Sequence, residues 1–63
     1  MLHNHRILVA EDETLIALDI AYSVEEAGGT VIGPTARVSE ALELLEKHEV
    51  TGAILDFNLR TVT

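Results

Sequence analysis

Two apolar runs, each ending in carboxylates, restrict this chain more than any other feature. Ile7-Leu8-Val9-Ala10 leads into Glu11-Asp12-Glu13, and Ala53-Ile54-Leu55 leads into Asp56. Runs this short and unbroken lack the alternation of a half-exposed strand and suit a strand covered on both faces of a parallel sheet. An acid placed where such a run gives out reads as a strand-end residue that meets solvent or a ligand. If the two strands are parallel neighbours, Glu11, Asp12 and Asp56 collect at one end of the sheet.

The segments between supply the crossovers that a parallel sheet needs. From Thr14 to Ala27 the apolar residues Leu15, Leu18 and Tyr22, with Ile16, Ile20, Val24 and Ala27 offset, recur at three- and four-residue steps. That spacing predicts a helix with a wide apolar face. Asp12 or Thr14 is its expected cap, the acids suit the first turn, and Gly28-Gly29 ends it. Thr30 to Gly33 predicts a brief strand closed by Pro34 and lying at a sheet edge. Thr35 to Val38 is expected as a connection. Ser39 then caps a second helix whose apolar face is Ala41, Leu42, Leu44 and Leu45, with Glu43 and Lys47 spaced for an i,i+4 ion pair. Met1 to His5 reads as a polar lead-in in which His3 and His5 are solvated and carry no role. Arg60 to Thr63 hold no clear element.

Strand, helix, strand, helix, strand implies a parallel sheet, with right-handed crossovers in ~98% of cases. With the second strand outermost, the spatial order is 2-1-3 and the two helices lie on opposite faces. The carboxyl ends of strands one and three then form the switch point at which doubly wound sheets bind ligands. The expected fold is therefore α/β, a partial flavodoxin-like doubly wound parallel sheet.

Composition narrows the function. A chain of 63 residues permits one small domain, which buries only ~60% of its unfolded surface. It has no cysteine, hence no disulfide staple, so a metal, a partner or a missing remainder is expected. A homodimer or a missing C-terminal half meets that need. The net charge of −7, from 11 acids against 4 lysines and arginines, argues against nucleic acid or an anionic membrane in this segment. No apolar run reaches the ~20 residues of a membrane span, and the start of the chain lacks the apolar core of a signal peptide. A soluble, cytoplasmic protein is expected.

Three acids within a few ångströms repel one another, and a divalent cation relieves that repulsion. Magnesium suits best, because it takes oxygen ligands, keeps several waters and uses one or two carboxylates with a phosphate oxygen. An acid beside it can attack a phosphoryl group and become an aspartyl phosphate. A nucleotide-binding reading scores poorly, since acids and not a glycine-rich loop follow the first strand.

The pairing of ILVAEDE with AILDFNL some forty residues on, with Gly-Gly and Gly-Pro between, resembles the receiver domain of two-component response regulators. The resemblance covers residues 1–63 as the N-terminal half of that fold, through its third strand. It implies that Asp56 is the phosphoacceptor, Asp12 a direct Mg2+ ligand, Glu11 an outer acid acting largely through water, and the main-chain carbonyl of Asn58 a further ligand. A histidine kinase or phosphotransfer protein is the implied partner. The chain is then a phosphorelay switch and not an enzyme. Self-phosphorylation is expected only if the family's hydroxyl residue and lysine, which have no counterpart here, are supplied. Two further departures are the Glu-Asp pair where many members have Asp-Asp, and a loop after Asp56 without proline or glycine. The alternative function is a half-receiver that binds or assembles without phosphoryl chemistry, dimerising through an exposed third strand.

Overall fold

The computed structural model describes residues 1–57. In chain order these form β1 (Arg6–Glu11), α1 (Thr14–Glu26), β2 (Thr30–Thr35), α2 (Val38–Lys47) and β3 (Gly52–Asp56). All three strands are parallel and the sheet order is β2-β1-β3, the order expected with the second strand outermost. Asn58, expected to lend a carbonyl to a metal, lies outside the described residues, as does the stretch from Arg60 to Thr63.

β1 lies between two strands, and its period-two alternation divides the core in half. Leu8 and Ala10 pack with Ile32 and with Ala41 of α2, joined by the half-buried Leu44, Val50 and Phe57. Ile7 and Val9 pack with Val24 of α1, joined by Leu2, Ile20 and Val31. The helices therefore cover opposite faces. Leu8 and Val9 are fully buried.

Several local expectations change once packing is included. In α1 the buried residues are Ala17, Ala21 and Val24, whereas Leu15, Leu18 and Tyr22 stay 82%, 55% and 62% exposed. Two alanines let the helix backbone approach the sheet closely, and that approach decides which stripe of a broadly apolar helix turns inward. In α2 only Ala41 is buried, with Leu44 half-buried and Leu42 and Leu45 exposed. The expected Glu43–Lys47 pair is present at 3.9 Å on the solvent side. The caps differ from expectation: Glu13 precedes α1 and Arg37 precedes α2, neither with a side-chain cap bond. Nor is the lead-in purely polar. Leu2 packs into the α1 core and its N–H donates to the Ala27 carbonyl at 2.7 Å.

Two glycines are required by backbone geometry. Gly28 has φ +91°, its N–H donates to the Glu25 carbonyl, and the Gly29 N–H donates to that of Val24, both at 2.9 Å. Such a crossed pair closes α1 with a left-handed residue. Gly33 has φ +102°, and a Cβ there would stand 2.9 Å from the Val9 carbonyl oxygen. It sits in an irregularity of β2, since Leu8 pairs with Ile32 but Ala10 with Thr35. Through this bulge β2 continues past Pro34 to Thr35, two residues beyond the expected end. Proline is tolerated because β2 is an edge strand.

β3 departs most from its sequence pattern. Both helices pack over β1 and β2, and among the described residues neither packs over β3. Ile54 and Leu55 are left 38% and 63% exposed, although the apolar run suits a buried strand.

Candidate functional site

β1 and β3 run in register from Ile7 opposite Gly52 to Glu11 opposite Asp56. The two acids thus close the last rung of adjacent strands, which lie ~4.8 Å apart. Asp12 follows directly, in the turn that leads to α1.

The three acids do not share one environment. Glu11 is 2% exposed, because it ends the central strand beneath the start of α1. It lines a cleft of about 110 Å3 with Thr14, Ala17, Leu18, Pro34 and Thr35. The Glu13 backbone N–H donates to Glu11 Oε1 at 3.0 Å, while Oε2 is buried without a hydrogen-bond partner. Asp12 and Asp56 are exposed. The turn and the register bring Glu11 to both neighbours. Yet among the described residues no three His, Cys, Asp or Glu side chains are already spaced to hold a metal ion.

Opposing influences act on Glu11. The Glu13 amide lowers its pKa, but burial and the adjacent Asp56 and Asp12 carboxyls outweigh that and hold it above the ordinary glutamate value. A group protonated more readily in the fold than in the unfolded chain makes stability greatest below its unfolded pKa. That stability is lost as pH rises through the raised value. The metal-free chain should therefore show a thermal midpoint that declines above the ordinary glutamate pKa of ~4.3. In Glu11→Gln, which keeps an oxygen for the Glu13 amide, the decline should be shallower. Equal slopes for the two proteins would contradict this account of Glu11.

The donor set suits a hard divalent cation: carboxylate oxygens only, one of them dehydrated and uncommitted. Thr35 was legible only as part of a connection. It is buried, and its hydroxyl donates to Glu40 Oε1 at 2.6 Å beside the cleft. A threonine five residues before a glutamate is the one signal the sequence carried for it. A roomier cavity of about 440 Å3 lies between β2 and α2, lined by Gly33, Pro34, Thr35, Glu40, Glu43, Leu44 and Lys47. It contains none of the clustered acids. His5 is held by its ring, with Nδ1 3.1 Å from Thr51 Oγ1, far along the strands from Glu11. No helix among the described residues is long and apolar enough to cross a membrane.

Comparison with known proteins finds relatives over most of the chain. Over 54 residues, 86% of this chain, it is 39% identical to the transcriptional regulatory protein PdtaR of Mycobacterium tuberculosis strain CDC 1551 / Oshkosh. The same holds for the protein of that name from strain ATCC 25618 / H37Rv. The chain spans 26% of the length of these curated relatives. No protein-family model and no solved structure matches it. The parallel order β2-β1-β3 with two helices fits the first half of a flavodoxin-like receiver fold, and the chain is similar over most of its length to a transcriptional regulatory protein.

Proposed function

We propose that this segment receives a phosphoryl group on Asp56 from a phosphohistidine of a kinase or phosphotransfer protein, with Mg2+ held among Glu11, Asp12, Asp56 and the Asn58 carbonyl. The observation that carries this reading is the last rung of the β1–β3 pair, where an exposed Asp56 stands opposite a buried Glu11 with one oxygen unpartnered. A carboxylate oxygen of Asp56 attacks phosphorus, an O–P bond forms, the N–P bond breaks, and the imidazole leaves. Mg2+, when bound, supplies charge neutralisation on the phosphoryl oxygens. Exposure of Asp56 leaves room for a donor's side chain, while the strand-end position holds the nucleophile still. The product adds ~1.5 to 2 negative charges beside an already acidic rung, which biases the adjoining surface. The relatives' name, transcriptional regulatory protein, suits an output elsewhere in a longer chain, since the charge here opposes direct contact with DNA. The test is intact mass after incubation with Mg2+ and a phosphotransfer protein phosphorylated on histidine. One phosphoryl adduct that depends on Mg2+ and is labile to hydroxylamine is expected; no adduct defeats the reading.

Among the described residues no strand pairs with the outer edge of β3, which favours a second reading, in which two copies pair through β3 about a twofold axis. One short strand makes an interface near or below ~1,200 Å2 in total, so association should be weak and concentration-dependent. Sedimentation of the 63-residue chain should show a shift from monomer to dimer across the micromolar range. A compact monomer throughout would remove this reading.

A further inference from the structure

We propose that the cavity between β2 and α2 binds a guanidinium group, presented as an arginine side chain by a basic segment of a protein partner. The cavity measures about 440 Å3, within the ~300 to 1,000 Å3 of pockets that hold small ligands. It lies on the flank of the sheet away from β3, since β2 is the outer strand in the order β2-β1-β3. Neither a phosphodonor at Asp56 nor a second copy paired through β3 would occupy it. Its lining is rich in acceptors and poor in donors. Glu40 and Glu43 contribute carboxylates and Lys47 an ammonium, while Pro34 brings a carbonyl and no N–H. Two negative charges thus meet one positive.

Local structure leaves that negative charge available. Glu40, Glu43, Leu44 and Lys47 recur at three- and four-residue steps of α2 and so share one flank of it. Thr35, 5% exposed at the end of β2, donates its hydroxyl to Glu40 Oε1 at 2.6 Å. That bond fixes the carboxylate from inside the fold and leaves Oε2 for a ligand. Glu43 is met only loosely, with Lys47 Nζ 3.9 Å from its Oε2, beyond hydrogen-bond reach. The floor comes from the irregularity in β2. Leu8 pairs with Ile32 but Ala10 with Thr35, so Gly33 and Pro34 both stand against Val9 and the surplus residue leaves the ladder. A Cβ on Gly33 would lie 3.9 Å from Leu44 Cδ1, and without one the floor stays open. A guanidinium suits this lining, because it carries five N–H donors and no acceptor, forks onto a carboxylate and lies flat on apolar walls such as Pro34 and Leu44. An ammonium suits it less, since Lys47 already supplies one that does not close on Glu43. The net charge of −7 draws a basic segment toward the chain.

The probe is a capped tripeptide, acetyl-Thr-Arg-Thr-amide, titrated into the whole chain while backbone amide signals are followed by NMR. Saturable shifts are expected at Gly33, Thr35, Glu40 and Leu44, and the same peptide with lysine for arginine should bind ~5-fold or more weakly. Glu40→Gln should weaken binding ~10-fold, and Thr35→Val, which keeps the shape but frees Glu40, about 3-fold. Lys47→Met, which removes the resident cation, should tighten it about 3-fold. Asp19→Asn removes the same charge as Glu40→Gln but from α1, and should bind as the parent does. Circular dichroism checks each fold; if Thr35→Val is unfolded, the variants at the exposed Glu40 and Lys47 decide. No saturable shift up to about 10 mM peptide overturns the proposal. So does equal binding of the arginine and lysine peptides, and so does a loss in Asp19→Asn as large as in Glu40→Gln, which would reduce the attraction to net charge. Agmatine bound more tightly than the peptide would give the cavity to a free guanidine and overturn the protein partner.

Discussion

Leu8→Ala is expected to remove a large part of the chain's stability at 25 °C. Leu8 is fully buried in the central strand, where it packs with Ala10, Ile32 and Ala41 and with the half-buried Leu44, Val50 and Phe57. Truncating such a leucine costs ~2 to 5 kcal/mol, because the transfer energy of the lost methyls is joined by the energy of the cavity left behind. A domain of this size has a total stability of only roughly 3 to 9 kcal/mol at ~0.05 to 0.15 kcal/mol per residue. One side chain can thus remove most of it. The measurement is urea denaturation by circular dichroism at a fixed chain concentration, so that any self-association is held constant. Leu42→Ala is the matched control: Leu42 is 57% exposed, and its truncation should change stability by at most ~0.5 kcal/mol. If Leu8→Ala cost no more than the control, the two-faced core around β1 would be wrong.

Asp56→Asn should abolish phosphoryl incorporation outright. An amide oxygen is a far poorer nucleophile than a carboxylate, and no other group occupies the last rung of β3. The substitution is nearly isosteric at an exposed position, so fold and stability should be almost unchanged, which separates lost chemistry from lost structure. Glu11 provides a second, independent readout. Removing the Asp56 charge takes away one of the influences that raise its pKa, so the pH at which the metal-free chain loses stability should move down. An adduct that persists at full yield in Asp56→Asn would place the acceptor elsewhere, and Asp12 would be the next residue to replace.

Much of the architecture follows from local rules acting on the residues in line. Ile7 to Ala10 and Ala53 to Leu55 had to be strands of a parallel sheet because they are short, β-prone and unbroken. Gly28 had to end α1, because a helix closing in that way needs a left-handed residue. With the second strand outermost, right-handed crossovers put the helices on opposite faces, and parallel pairing puts Glu11 and Asp56 at the same end. None of these steps depends on what touches what.

What the linear pattern left undetermined depends on contacts between distant residues. Burial of Glu11 beside exposed Asp12 and Asp56 could not be read from three acids in similar settings, because it reflects the depth of β1 between two strands and the position of α1 above it. The choice of Ala17, Ala21 and Val24 over Leu15, Leu18 and Tyr22 as the inward stripe of α1 follows from how closely that helix approaches the sheet. The extension of β2 through Gly33 and Pro34 needed the Val9 carbonyl to be in place opposite. The exposure of Ile54 and Leu55 arises because both helices lie over β1 and β2. Periodicity tells a residue which side of its own element it occupies. Only the assembled fold tells it whether anything lies on that side.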